Sequence, residues 1–141
     1  MTKRAAFLAA LAVALTGCGA MSTRVPHGPV DLDGIQADSR PYFWVGESFG
    51  GLDLTYAERY NGRFASFIYG TCETSGGLFA EGGCAPPLEI QNVRCSDGSV
   101  TVAIFGRHRL AARAAKALRA FNRAARKSGR PLVTFDHSIL C

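Results

Sequence analysis

The sequence predicts an α+β domain: a small antiparallel sheet with one long amphipathic helix packed across it, held by two disulfides. Three observations lead there. Short runs rich in aromatic and β-branched residues recur between Gly-containing turns, a single stretch at 107–128 keeps a helical period, and the cysteines beyond position 18 form an even set. Strands, then a helix, then a closing strand favour a helix lying across an antiparallel sheet.

The chain opens on Thr2-Lys3-Arg4, followed by an uncharged apolar run of 11 residues at 5–15. A basic start before a short apolar run is the layout of an export signal, and this run is too short for a hydrocarbon layer that needs about 20 residues in a helix. The amino-terminal segment is therefore expected to be a signal peptide. Residues 18–40, rich in Gly, Pro, Asp and Ser and without a period, read as a tether. Residues 41–141 read as one domain, long enough for one core.

Candidate strands fall at 42–45, 52–56, 64–69, 88–93 and 100–105. Asn61-Gly62 and Asp97-Gly98 sit between such runs, and both pairs tolerate the positive φ that a tight hairpin requires. In the last run Val100, Val102 and Ile104 alternate with Thr101, Ala103 and Phe105, which predicts one better-buried face. The helix at 107–128 places Leu110, Ala114, Ala117, Leu118, Phe121 and Ala125 on one face, and Gly129 and Pro131 supply its stop. A closing strand follows at 132–135.

Cys72, Cys84, Cys95 and Cys141 allow three pairings. Cys72 with Cys84 would close a glycine-rich loop, and Cys95 with Cys141 would tie down the carboxyl terminus. An exported chain favours such cystines over metal. Zinc ligation is not expected, since no Cys-x-x-Cys pair occurs and His27, His108 and His137 lack ligand spacing. No cofactor is expected.

Residues Gly46-Glu47-Ser48-Phe49-Gly50 match Gly-x-Ser-x-Gly, the pattern of a nucleophile elbow. An enzymatic reading would make Ser48 the nucleophile of a small serine hydrolase with His137 as its base. An elbow needs strands before the serine and a helix directly after it; here only the tether and one short run precede, and LDLTYAERYNG follows as a strand and hairpin. Asp136, His137 and Ser138 are consecutive and cannot orient one another as a triad. Glu47, Asp53, Glu58, Glu73 and Glu81 have no spacing that fixes a catalytic pair. The stretch therefore reads as a glycine-rich turn, and the protein as a binding or structural module rather than an enzyme.

Charge divides the chain. Residues 18–97 carry five Arg against ten acids, whereas residues 98–141 carry nine Lys or Arg against Asp136 alone. Arg109, Arg113, Lys116, Arg119, Arg123, Arg126 and Lys127 would lie opposite the leucines of the helix, with no glutamate to pair along it. Such a face suits anionic lipid headgroups or an anionic cell-wall polymer. Export removes nucleic acid from the candidate partners.

Leu15-Thr16-Gly17-Cys18 closes the apolar run and resembles the lipobox of bacterial lipoprotein precursors. The resemblance implies a signal peptide of residues 1–17 cleaved before Cys18, lipid on the Cys18 thiol, and a mature protein anchored in the cell membrane facing the extracytoplasmic side. Two or more acyl chains anchor stably where one does not. YFWVGESFGGLDLT and YGTCE with GGCAPPLEIQ also resemble uncharacterised exported domains of GC-rich Gram-positive bacteria, a resemblance that implies no activity.

Overall fold

Period-2 alternation in the strand-forming runs builds a sheet larger than expected. The computed structural model describes residues 30–60, 62–71, 85–136, 138 and 141. In chain order it contains α1 (Leu32–Ala37), β1 (Phe43–Trp44), β2 (Ser48–Phe49), β3 (Leu52–Tyr60), β4 (Phe64–Tyr69), β5 (Leu88–Arg94), β6 (Val100–Gly106), α2 (His108–Ala117), β7 (Arg119–Ala120), α3 (Arg123–Ser128) and β8 (Leu132–Thr134). Strands β2-β3-β4-β5-β6-β8 form one curled sheet, half of a barrel. All its neighbours are antiparallel except β6 and β8, which α2, β7 and α3 connect as a parallel crossover.

One face of this sheet is the core. Ala65, Phe67 and Tyr69 on β4, Leu88, Ile90 and Asn92 on β5, and Val102 and Ile104 on β6 alternate inward and are buried. Asn92 is the polar exception, and it is satisfied: its Nδ2 donates to the Phe43 carbonyl at 2.9 Å and its Oδ1 accepts from the Phe43 N–H at 2.6 Å. A side chain thus stands in for a neighbouring strand and docks β1 on the inner face. The expected alternation on β6 is only partly realised, because the small residues Thr101 and Ala103 are buried as well.

The α+β reading with one long helix is overturned: the domain is mostly sheet, with three short helices among the described residues. The expected helix at 107–128 breaks after Ala117, where Leu118 turns to an extended ψ of 132°. Arg119 and Ala120 then pair with Trp44 and Phe43, so Phe121 enters the core beside Trp44 and Phe67. Asn122 restarts the helix as N-cap, accepting from the Ala125 N–H at 3.0 Å. The visible cause is β1, whose pairing with Arg119 and Ala120 takes these residues out of helical geometry. The break also buries the apolar Phe121 ring, an effect of about 2 to 3 kcal/mol. Ala117, expected on the buried stripe, is exposed.

Residues 31–40, expected within the tether, join the domain. Asp31 caps α1 by accepting from the Gly34 N–H at 2.9 Å, and Ile35 is fully buried. The two-disulfide expectation is met at one site among the described residues: Cys95 and Cys141 are bonded, with Cα atoms 5.4 Å apart. Cys72 and Cys84 lie outside the described residues, as do Cys18, His27, Glu73, Glu81 and His137.

Candidate functional site

The Gly-x-Ser-x-Gly stretch forms a hairpin. Ser48 pairs with Asp53 and Phe49 with Leu52 across the two-residue turn Gly50-Gly51, whose φ values of +62° and +83° require glycine-like freedom. Ser48 is exposed and a strand, not a helix, follows it. The glycines have a different use. An added Cβ at Gly46 would lie 2.4 Å from Arg119 Nη2, and one at Gly50 would lie 2.5 Å from Leu110 Cδ1. Both positions are landing places for side chains arriving from α2 and β7. The Gly46 carbonyl also accepts the Tyr69 hydroxyl at 2.9 Å.

The seven cations expected on one helix are distributed over three elements. Arg109, Arg113 and Lys116 lie on α2, Arg119 on β7, and Arg123, Arg126 and Lys127 on α3, and all seven are exposed. None forms an ion pair among the described residues. Two of them rest on aromatic rings: the Arg113 guanidinium lies 5.6 Å from the Phe49 ring centre and that of Arg119 lies 5.6 Å from the Trp44 ring centre. Such stacking contributes about 0.5 to 1 kcal/mol at exposed sites. Trp44 is itself held edge-on by Phe121 at 4.7 Å and tilted against Phe67 at 6.1 Å.

Arginines of the first half behave otherwise. Asp38, whose side chain is 5% exposed, accepts from Arg40 Nε at 2.9 Å, Arg59 Nη1 at 2.9 Å and the Tyr42 hydroxyl at 3.0 Å. The Arg40 guanidinium above all holds the Asp38 carboxyl far below the usual carboxylate range, against the opposing effect of burial. Burial and then the Asp38 charge push the Tyr42 hydroxyl up to about 12. Sequence reasoning missed this hub, although Asp38-Ser39-Arg40 carries a local acid–base spacing. It also missed Asn122, which is fully buried and donates to the carbonyls of Arg40, Asp38 and Ile35 at 2.7, 3.1 and 3.4 Å. An asparagine inside an alanine-rich run is a helix-start signal.

A second polar cluster covers the outer face of the sheet. The Tyr56 hydroxyl bonds Glu58 and the Tyr60 hydroxyl, while Ser66 Oγ and Gln91 Nε2 donate to Glu89 Oε1 at 2.6 and 2.8 Å. Burial and the adjoining Glu58 carboxylate raise the Tyr56 pKa. Among the described residues no three His, Cys, Asp or Glu side chains are grouped to hold a metal. Surface cavities among the described residues include one of about 290 Å³ beside Arg63 and Arg94 and one of about 350 Å³ between His108 and Phe135.

No relative helps. The chain matches no protein-family model, no curated protein and no solved structure. Among the described residues no helix is long and apolar enough to cross a membrane. Of these groups, the cations of α2, β7 and α3 have the clearest chemistry, because exposed charge with no carboxylate partner among the described residues is available to an external one.

Proposed function

We propose that the protein is a bacterial envelope lipoprotein, anchored through Cys18 on the extracytoplasmic side of the cell membrane, whose domain lays a cationic surface against anionic groups of that envelope. It is a binding or structural module. Support for the address comes from Lys3-Arg4, the apolar run at 5–15 and Leu15-Thr16-Gly17-Cys18. The observation that carries the activity is the set of seven exposed cations with no carboxylate partner among the described residues.

Anchoring and charge act together. Val30 follows Cys18 by 12 residues, a span that cannot exceed about 40 Å even fully extended. A domain kept that close to the headgroups gains from weak contacts, since each cation near an anionic surface contributes about 1 kcal/mol. Screening lengths of about 8 Å at physiological salt make the contact short-ranged and salt-sensitive. Lipid headgroups and anionic cell-wall polymer present the same phosphate chemistry.

The test uses the chain from residue 18 onward with Cys18→Ser, so that no lipid intervenes, and vesicles containing phosphatidylglycerol at low salt. Replacing Arg113, Lys116 and Arg123 by Glu together should weaken binding at least about tenfold. Unchanged binding would contradict the cationic-surface reading. The same reading expects no labelling of folded protein by a fluorophosphonate probe; labelling lost in Ser48→Ala would favour the hydrolase instead.

A further inference from the structure

We infer that Arg113 and Arg119 are not two charges among seven but a pair of pre-set forks that recognise the phosphodiester of anionic lipid headgroups. The inference rests on the membrane-facing reading above and makes it specific. It starts from the rings. Of the seven cations, only these two have a cation–π contact among the described residues, each with its Cζ 5.6 Å from an aromatic ring centre. A guanidinium held over a ring can still offer N–H groups to a second partner, and its fork matches two phosphate oxygens at once. Lysine has neither the plane nor the fork.

The surroundings hold these forks in place. Trp44 is wedged by Phe67 and Phe121, and β1 carrying it is pinned by Asn92. Arg119 sits directly opposite Trp44 in the β1–β7 pair, and its Nη2 occupies space that only the glycine at 46 leaves open. Phe49 is fixed by pairing with Leu52 in the Gly50-Gly51 hairpin, while Leu110, one turn before Arg113 on α2, seats against Gly50. Phe49 beneath Arg113, and Trp44 and Gly46 beside Arg119, thus restrict two long side chains before any ligand arrives, which lowers the ordering cost of binding. No carboxylate pairs with either guanidinium among the described residues, and both arginines are exposed. This gives the FWVGESFGG stretch a role: its aromatic residues support the cations and its glycines admit their neighbours.

Charge-conserving substitution separates this from general electrostatics. With the chain from residue 18 carrying Cys18→Ser, Arg113→Lys plus Arg119→Lys is compared with Arg123→Lys plus Arg126→Lys on phosphatidylglycerol-containing vesicles. The first pair should bind about fivefold more weakly than the unsubstituted chain, and the second pair should bind like it. Equal binding by all three, or equal loss in both pairs, would overturn the inference and leave the cationic surface standing. No preference of the unsubstituted chain for anionic over neutral vesicles would overturn both. Phe49→Leu guards against a folding artefact: it keeps the charge and an apolar side chain but removes the ring, and should weaken binding about twofold. Unchanged binding in Phe49→Leu, with thermal unfolding matching the parent, would remove stacking from the account of Arg113.

Discussion

Residues 31–59 and residues 107–130 use arginine in opposite ways. In the first segment Arg40 and Arg59 converge on Asp38, and the Arg40 guanidinium also donates to the Gly62 carbonyl. In the second, seven cations project from α2, β7 and α3 without a carboxylate among the described residues. Even the polar group that the second segment buries, Asn122, directs its amide donors to the first. The contrast separates charge that holds the fold from charge that is offered outward. Changes in the first class should cost stability, and changes in the second should cost binding alone.

The largest effect is expected at Asn122, where the two classes meet. Asn122→Ala removes a hydrogen-bond partner of the buried Tyr42 N–H, the Ala125 N–H and the Asp38 and Arg40 carbonyls, at about 4 kcal/mol, read by urea unfolding. A loss under 1 kcal/mol would mean that the helix break is set elsewhere. Next comes the Cys95–Cys141 bond, which spans 46 residues of sequence. Replacing both cysteines by Ala should cost about 3 to 4 kcal/mol, measured the same way.

Asp38→Asn should cost about 2 kcal/mol at neutral pH, below the figure for a fully buried pair because Arg59 is 37% exposed. The pH dependence has a definite sign. Asp38 titrates lower in the folded chain than its ordinary value near 4, so its contribution is present above that value and fades as pH falls toward the folded one. Unfolding free energy should therefore drop between about pH 4 and pH 2 in the parent and drop less in Asp38→Asn. An identical acid slope in both would show that Asp38 is not the titrating group. The smallest stability effect belongs to the second class: Arg113→Glu with Lys116→Glu and Arg123→Glu should move unfolding by no more than about 1 kcal/mol, the scale of the Arg113–Phe49 contact, while weakening vesicle binding at least about tenfold. A large loss of stability would erase the distinction between the segments.

Local structure was legible where the pattern is local. The runs at 52–56, 64–69, 88–93 and 100–105 anticipate β3, β4, β5 and β6, and positive φ at Gly62 and Gly98 matches the expected hairpins. The break at Leu118 was not, because it depends on β1 offering hydrogen bonds to Arg119 and Ala120 from far away in sequence, and an alanine-rich run is locally content as helix. The long-helix expectation failed there, and with it the fold class. Site residues divide likewise. The exposed cations could be read from composition, since charge without nearby acids is a sequence property. Their partners Trp44 and Phe49 could not, because only the tertiary fold brings β1 and β2 beneath β7 and α2. Ser48 looked informative for the opposite reason: its flanking glycines are favoured by positive φ, +112° at Gly46 and +62° at Gly50, in a hairpin rather than an elbow.

The proposed role requires that Cys18 hold this domain at a membrane surface. Mass spectrometry of the protein purified without reduction from its native membrane tests that directly. The account predicts an amino-terminal peptide beginning at Cys18 with a diacylglyceryl adduct, together with a Cys95–Cys141 cystine. An unmodified Cys18 thiol in an uncleaved chain would contradict it.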